Sequence, residues 1–172
     1  TTIRVLLGLL KPTRGTASIL GSDCWTKSDQ AKRHVGYLPG DLRLYPWLTG
    51  QSAIDMIGRI RRMDIAGEAG RLLSVFDLDP TVRVKSMSRG TRQKLGLILA
   101  LAHRPEVIIL DEPTASLDPL MQAKLHQELR DRAAAVDSET AGIRVQLGAQ
   151  HEPVQHRERL RRPQPPAWHA LH

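Results

Sequence analysis

Val107-Ile108-Ile109-Leu110 runs without a break into Asp111-Glu112-Pro113-Thr114 and then Ala115-Ser116-Leu117-Asp118. Four β-prone apolar residues with no polar alternation predict a strand buried on both faces, which requires a sheet covered on its two sides. That is an α/β arrangement, and in such folds ligands bind outside the C-terminal ends of the strands. The two adjacent carboxylates land at that end, where a metal and a phosphate would meet. Carboxylates before proline are also ordinary turn formers, so Asp-Glu alone suits an acidic turn equally well.

The rest of the composition narrows the class. A chain of 172 residues suits one domain with a sizeable core, and 41% apolar content suits a soluble globular protein. The longest apolar runs, Val5 to Leu10 and Leu95 to Ala102, are short and broken by Gly8 and Gly96, so the chain is not itself a membrane channel. Cys24 is the single cysteine and allows no internal disulfide, which fits a cytosolic protein. No charged-then-apolar segment opens these residues. A net charge of +7 raises nucleic acid as a partner, but the basic residues are interleaved with acids and aromatics are only 3%. The charge reads as a solvated basic surface, and no nucleic-acid partner is expected.

The stretch from Asp111 to Asp118 resembles the Walker B segment and D-loop of the ATP-binding cassette (ABC) ATPases. The resemblance implies that Asp111 holds Mg²⁺ through water, since a small hard cation keeps part of its hydration shell and prefers carboxylate oxygen. Glu112 would orient and polarise the water that attacks the γ-phosphate of ATP. Asp118 would face a partner subunit.

A second motif supports the same family. Met87-Ser88-Arg89-Gly90-Thr91-Arg92-Gln93-Lys94 stands before the apolar helix Leu95 to Ala102. It resembles the ABC signature Leu-Ser-Gly-Gly-Gln, with Ser88 and Gly90 retained and Arg89 and Thr91 substituted. Serine is a good N-cap, and a helix N-terminus offers unpaired N–H groups to an anion. In this family the anion is the γ-phosphate of ATP bound by the opposing subunit, which implies a head-to-tail dimer. A Ser-x-Gly before a helix, taken alone, is also a plain cap.

Upstream, residues 1 to 10 carry apolar side chains at 3, 6, 7 and 10, a helical spacing closed by Lys11-Pro12. A Thr-Thr-Ile-Arg beginning resembles the first turn of the helix after the family's Gly-rich Walker A loop, which would set Thr1 near the α-phosphate. No Gly-x-x-x-x-Gly-Lys-[Ser/Thr] occurs in these residues, so the expectation is a domain lacking its phosphate loop at the N-terminal side. Gly15 to Gly21 reads as a strand, Lys27 to His34 as a helical turn, and Val35 to Pro39 as another strand. In the family that strand leads to the Q-loop glutamine, whose position here is Gly40.

From Asp41 the pattern turns helical. Leu42, Leu44, Tyr45, Trp47 and Leu48 form an apolar cluster, Thr49-Gly50 opens a helix with Ile54, Ile57 and Ile60 on one side, and Arg71 to Leu78 reads as another. In ABC proteins this insertion is the helical subdomain that docks the membrane subunit, although a packed helical core without a partner has the same periodicity. Large exposed apolar residues at Tyr45, Trp47 and Leu48 are expected to form that docking surface.

After Asp118, Pro119 to Ala135 predicts a helix and Gly142 to Leu147 a short strand. The family's switch histidine would then be His151, several residues late and without the usual two serines; a surface histidine suits the pattern as well. Beyond Ala135 the resemblance fades into Arg, Pro and His, with Pro163, Pro165 and Pro166 close together. Two readings stand for residues 136–172: a disordered basic tail, or a shifted reading frame.

The expectation is therefore an α/β, P-loop NTPase-like (RecA-like) core over residues 1–135, truncated at its N-terminus, with a helical subdomain at 41–104. The resemblance implies an ATP-hydrolysing subunit of an ABC transporter with ATP and Mg²⁺, a separate membrane-spanning subunit, and a second ATP-binding subunit. It would sit in the cytoplasm, peripheral on the inner face of the plasma membrane. The Tyr-Leu-Pro-Gly and Ser-Arg-Gly-x-Arg-Gln variants are most similar to efflux-type (ABC-2-like) transporters. The alternatives are a soluble ABC ATPase acting on nucleic acid or ribosomes, and an inactive remnant.

Overall fold

The computed structural model describes residues 2–137 and 145–147. Its centre is a parallel sheet in the order β3 (Val35–Leu38), β4 (Val107–Leu110), β5 (Val145–Leu147), with Leu38 paired to Leu110 and Leu110 to Leu147. Strand alternation sends Leu38, Ile108 and Leu110 into one apolar cluster and Val35, Tyr37 and Ile109 into a second. Both faces of β4 are thus covered, as its unbroken apolar run predicts. Three helices cover the larger cluster with their apolar stripes: α3 (Gly50–Arg61), α4 (Ala66–Phe76) and α5 (Arg89–Leu101). The helix α6 (Pro119–Asp137) adds Met121, Leu125 and Leu129. The smaller cluster lies under α1 (Thr2–Leu6) and a hairpin of β1 (Ser18–Ile19) and β2 (Ser22–Asp23), with α2 (Ser28–Arg33) contributing Ala31.

Three sequence expectations need correction. The first helix stops at Leu6 rather than running to Leu10, because Gly8 takes a left-handed φ of +60° and ends it before Lys11-Pro12 is reached. Leu9 and Leu10 are consequently exposed. The run Gly15 to Gly21 is not one strand but the first arm of a hairpin whose turn is Leu20-Gly21, both at positive φ (47° and 78°), the backbone that two-residue hairpins demand. On α3 the apolar stripe is Ala53, Ile54 and Ile57, whereas Ile60 is exposed, since six residues on it has rotated far off the face. The start of α3 follows the sequence closely: Thr49 and Ser52 cap each other reciprocally, at 3.1 Å and 2.8 Å.

Polar contacts join α4 to α6. Glu68 and Glu128, both nearly buried, share Arg71 and Arg132, and Arg104 adds a bond to Glu68 at 2.9 Å. Burial alone would raise the Glu68 carboxyl, but hydrogen bonds from Arg71 and Arg104 and the charges of Arg132 and Arg71 outweigh it and hold the group at about 2. Paired in this way the carboxylates are tolerable in the interior; stripped of their arginines they would not be.

Arg61 on α3 donates to the Val35 carbonyl at 2.9 Å, and the buried His103 ring sits 3.3 Å from the same oxygen through Nε2. Its Nδ1 has no hydrogen-bond partner among the described residues. Burial first, and the Arg61 charge second, push the His103 imidazole down to about 4 from an ordinary 6.5. Between those values the unfolded chain binds the proton and the folded chain does not, so stability falls as pH drops from 6.5 toward 4. At pH 5 the loss relative to pH 7.5 is about 2 kcal/mol. Urea midpoints at the two pH values are expected to show it in the parent and not in His103→Leu; equal pH slopes in both proteins would refute it.

Candidate functional site

The site is assembled at the C-terminal end of β4. Asp111 continues the sheet by donating its N–H to the Leu38 carbonyl at 2.9 Å, so its position is fixed by backbone rather than by a mobile loop. The carboxylate is partly buried on the side of Ile109 and Tyr37, the alternation expected two residues on from Ile109. Its negative charge adds to burial, the larger effect, in pushing the Tyr37 hydroxyl up. Gly40 lies against the same carboxylate: a Cβ there would stand 3.3 Å from Oδ2 and 3.4 Å from Cγ. Gly40 is thus spatially at Asp111, yet brings only backbone to it.

Glu112 is exposed and has a φ of +49°, unusual for a residue with a side chain. The chain turns sharply here, burying Pro113 while leaving the Glu112 carboxylate to solvent. The Glu112 carbonyl accepts from the Ala115 N–H at 3.3 Å and the Thr114 carbonyl from Leu117 at 3.1 Å, winding residues 112–117 into successive turns. Asp118 closes them by accepting the Met121 N–H on Oδ1 at 3.0 Å, which makes it the N-cap of α6, with Pro119 in the first helical position.

The second motif forms the start of α5. Ser88 caps the helix by accepting the Thr91 N–H at 3.0 Å, and its Oγ lies 2.8 Å from the Thr91 hydroxyl. Arg89 is exposed in the first helical turn, beside the positive end of the helix dipole. Gly90 presses onto the loop after β4: a Cβ there would come within 2.7 Å of the Ser116 carbonyl oxygen. Only a residue without a side chain allows this approach, so Gly90 is required by packing.

The structure therefore brings Gly40 to Asp111, and brings the Ser88 to Thr91 turn to the loop between Glu112 and Asp118. Thr1 and His151 lie outside the described residues, as do the tail positions that carry the two readings for residues 136–172, apart from the end of α6 and β5. Sequence reasoning missed Gln93, a buried polar residue on α5 whose amide nitrogen lies 3.3 Å from the Pro113 carbonyl. The available signal was one amide side chain on the face that also carries Leu97 and Leu101.

As a metal site the donor set is small. Among the described residues no group of three or more His, Cys, Asp or Glu side chains could enclose an ion. One fixed, partly buried carboxylate with no side chain at Gly40 to occlude it suits Mg²⁺, which binds through one or two carboxylates and completes its shell with water and phosphate oxygen.

The family model described as ABC transporter matches residues 1–115. An ABC transporter ATP-binding protein of Alkalihalophilus pseudofirmus is 37% identical over 137 residues, 76% of this chain and 50% of that protein. The bacitracin transport ATP-binding protein BcrA of Bacillus licheniformis is 33% identical over 138 residues, 77% of this chain and 45% of that protein. A solved ATP-binding subunit of an ABC transporter superposes with a TM-score of 0.72 at 28% identity, over 83% of this chain and 60% of the other. The chain spans about half the length of the curated relatives it matches.

Proposed function

This chain belongs to the ABC transporter family, and from that membership we propose that it supplies the catalytic carboxylates and signature segment of an ATP-hydrolysing subunit that powers transport through a separate membrane protein. The α/β fold is that of the ABC ATPases, a P-loop NTPase architecture. The observation that carries the reading is the fixed carboxylate of Asp111 beside the backbone of Gly40, with Glu112 exposed next to it.

Asp111 would hold Mg²⁺ through water, and Gly40 would leave room for that water. The ion would neutralise charge on the β- and γ-phosphates of ATP. Glu112, one residue on and facing solvent, would orient the attacking water and accept its proton; phosphoryl transfer asks a protein chiefly for positioning and charge stabilisation. Ser88, Arg89, Gly90 and Thr91 would meet the γ-phosphate of ATP held by a second ATP-binding subunit in a head-to-tail dimer. There the exposed Arg89 adds a cation to the helix N-terminus. Asp118, exposed while capping α6, would face that partner. Thr1 near the α-phosphate and His151 as the switch histidine belong to the same reading. That one relative is named for bacitracin transport suits the transport role; the efflux-type assignment rests on the resemblance of the Tyr37 to Gly40 and Ser88 to Gln93 segments.

No helix among the described residues is long and apolar enough to cross a membrane. By family membership the pathway for substrate would lie in another subunit, with this one peripheral on the inner face. The docking surface would be the segment before α3. Leu42, Leu44 and Leu48 pack against the core, but Tyr45 and Trp47 are exposed and stack on each other with ring centroids 4.8 Å apart. Two large stacked rings held open to water, in a chain 3% aromatic, suit a partner interface.

Co-expressed with the transporter's membrane subunit, the protein is expected to be retained on membranes. Tyr45→Ser with Trp47→Ser should release at least tenfold more of it to the soluble fraction while changing its own stability by less than about 0.5 kcal/mol. Undiminished retention of the double variant would overturn the docking assignment.

A further inference from the structure

Glu112 is held in a conformation that residues with side chains avoid, at φ +49°. Such strain persists only where the surroundings enforce it. Part of the enforcement comes from within the loop, through the Ala115 N–H on the Glu112 carbonyl. The rest comes from α5. Gln93, 7% exposed, extends its amide nitrogen to the Pro113 carbonyl at 3.3 Å and reaches the Glu112 carbonyl at 3.5 Å. Both neighbours are carbonyl oxygens, so the NH₂ end must face them; the amide oxygen would be repelled. One helical turn earlier, the Gly90 backbone abuts the Ser116 carbonyl. The first turns of α5 and the loop from Glu112 to Ser116 are therefore fastened at both ends.

We propose that Gln93 is a positioning residue for Glu112: by holding the peptide between Glu112 and Pro113 from inside, it sets the aim of the Glu112 carboxylate and couples that aim to the seating of the helix that begins at Ser88. The proposal rests on the reading of Glu112 as the residue that polarises water. Gln93 does not touch the reacting atoms. It acts through two carbonyls in a buried setting, where a lost donor leaves an unsatisfied acceptor and is felt in full. A shift of α5 on engaging a second subunit would be passed to Glu112 along this contact.

The test reads the loop directly, by amide hydrogen exchange on the full 172-residue chain. Gln93→Met keeps length and removes the donor; Gln93→Glu keeps shape and places an ionised carboxylate against two carbonyls until acid returns a proton to it. In Gln93→Met the Ala115 amide is expected to exchange at least tenfold faster, with Ile98 in α5 and Ile109 in β4 unchanged. In Gln93→Glu it should be fast at pH 8 and approach the parent, after correction for intrinsic rates, near pH 5. Unchanged exchange at Ala115 in both variants overturns the proposal, and so does equal acceleration at Ile98 and Ile109, which marks general packing. If Gln93→Met does not fold, the pH response of Gln93→Glu decides.

A second arm uses turnover in the same residues joined to a phosphate-loop segment. Gln93→Met should lower kcat about tenfold with KM for ATP held. A parent-like kcat in Gln93→Met, while Glu112→Gln abolishes turnover, refutes the positioning role. If Glu112→Gln itself leaves kcat intact, the reading of Glu112 falls, and with it the catalytic purpose assigned to the contact; faster exchange at Ala115 would then establish a structural clamp only.

Discussion

Gly36→Val is expected to destabilise the chain by about 3 kcal/mol or more, a drop of roughly 10 °C in Tm for a protein of this size. Gly36 sits in β3 where α5 crosses it, and a Cβ there would stand 2.1 Å from the Ala100 carbonyl oxygen and 2.6 Å from Pro105 Cγ. The first of these is backbone, so no rotamer change relieves the clash; the helix and strand must separate, opening voids among Leu38, Leu97 and Leu101. Valine's preference for strands is worth at most about 1 kcal/mol and does not offset this. Gly70→Ala is the matched control. Gly70 lies inside α4 with open space where its Cβ would be, and the substitution should gain about 0.5–1 kcal/mol from helix propensity. Thermal melts of the two variants should move in opposite directions, and a Gly36→Val melt within 2 °C of the parent would show that α5 is not seated as described.

The second large effect concerns turnover. A preparation of only these 172 residues, which contain no Gly-x-x-x-x-Gly-Lys-[Ser/Thr], is expected to release phosphate from ATP and Mg²⁺ no faster than buffer. The backbone cradle and lysine that such a loop gives the phosphates supply most of the binding and charge stabilisation that phosphoryl transfer needs. Joining a phosphate-loop segment ahead of Thr1 should restore hydrolysis. In the joined protein Glu112→Gln should lower kcat by about 10²- to 10⁴-fold while ATP binding is retained, since it removes a base and not a phosphate contact. Asp111→Asn should weaken Mg²⁺ dependence as well as kcat. Phosphate release from the 172 residues alone, eliminated by Glu112→Gln, would contradict the first half of this expectation. Parent-like kcat in the joined Glu112→Gln protein would contradict the second.

What could be read in the sequence was what repeats locally. The apolar run Val107 to Leu110, the Thr49 and Ser88 caps and the Pro119 start of α6 each announce themselves within a few residues, and each is found where expected. The misjudged features depend on contacts made across the chain. The first helix stops at Leu6, and the left-handed Gly8 beyond it packs its backbone against the Cys24 carbonyl, where a Cβ would come within 2.2 Å; nothing in residues 1 to 12 records that neighbour. The ion-pair group of Glu68, Arg71, Arg104, Glu128 and Arg132 gathers residues from three separate segments, so no spacing rule points to it. Gln93 escaped notice for the same reason: its partners are carbonyl oxygens, which every sequence has and no sequence displays.

The unequal size of the two apolar clusters carries a consequence for how the molecule opens. Among the described residues, six buried apolar residues lie on the face that carries α1, α2 and the hairpin, against twenty-two on the other. Local opening free energy follows buried apolar contact, so amides of α1, α2 and the hairpin are expected to exchange faster than those of α3 to α6. Asp111 and Tyr37 look out on that side. A ligand gripping Asp111 and α1 together would therefore draw part of its effect from ordering that side, appearing in solution as a gain in protection spread well beyond the atoms it touches.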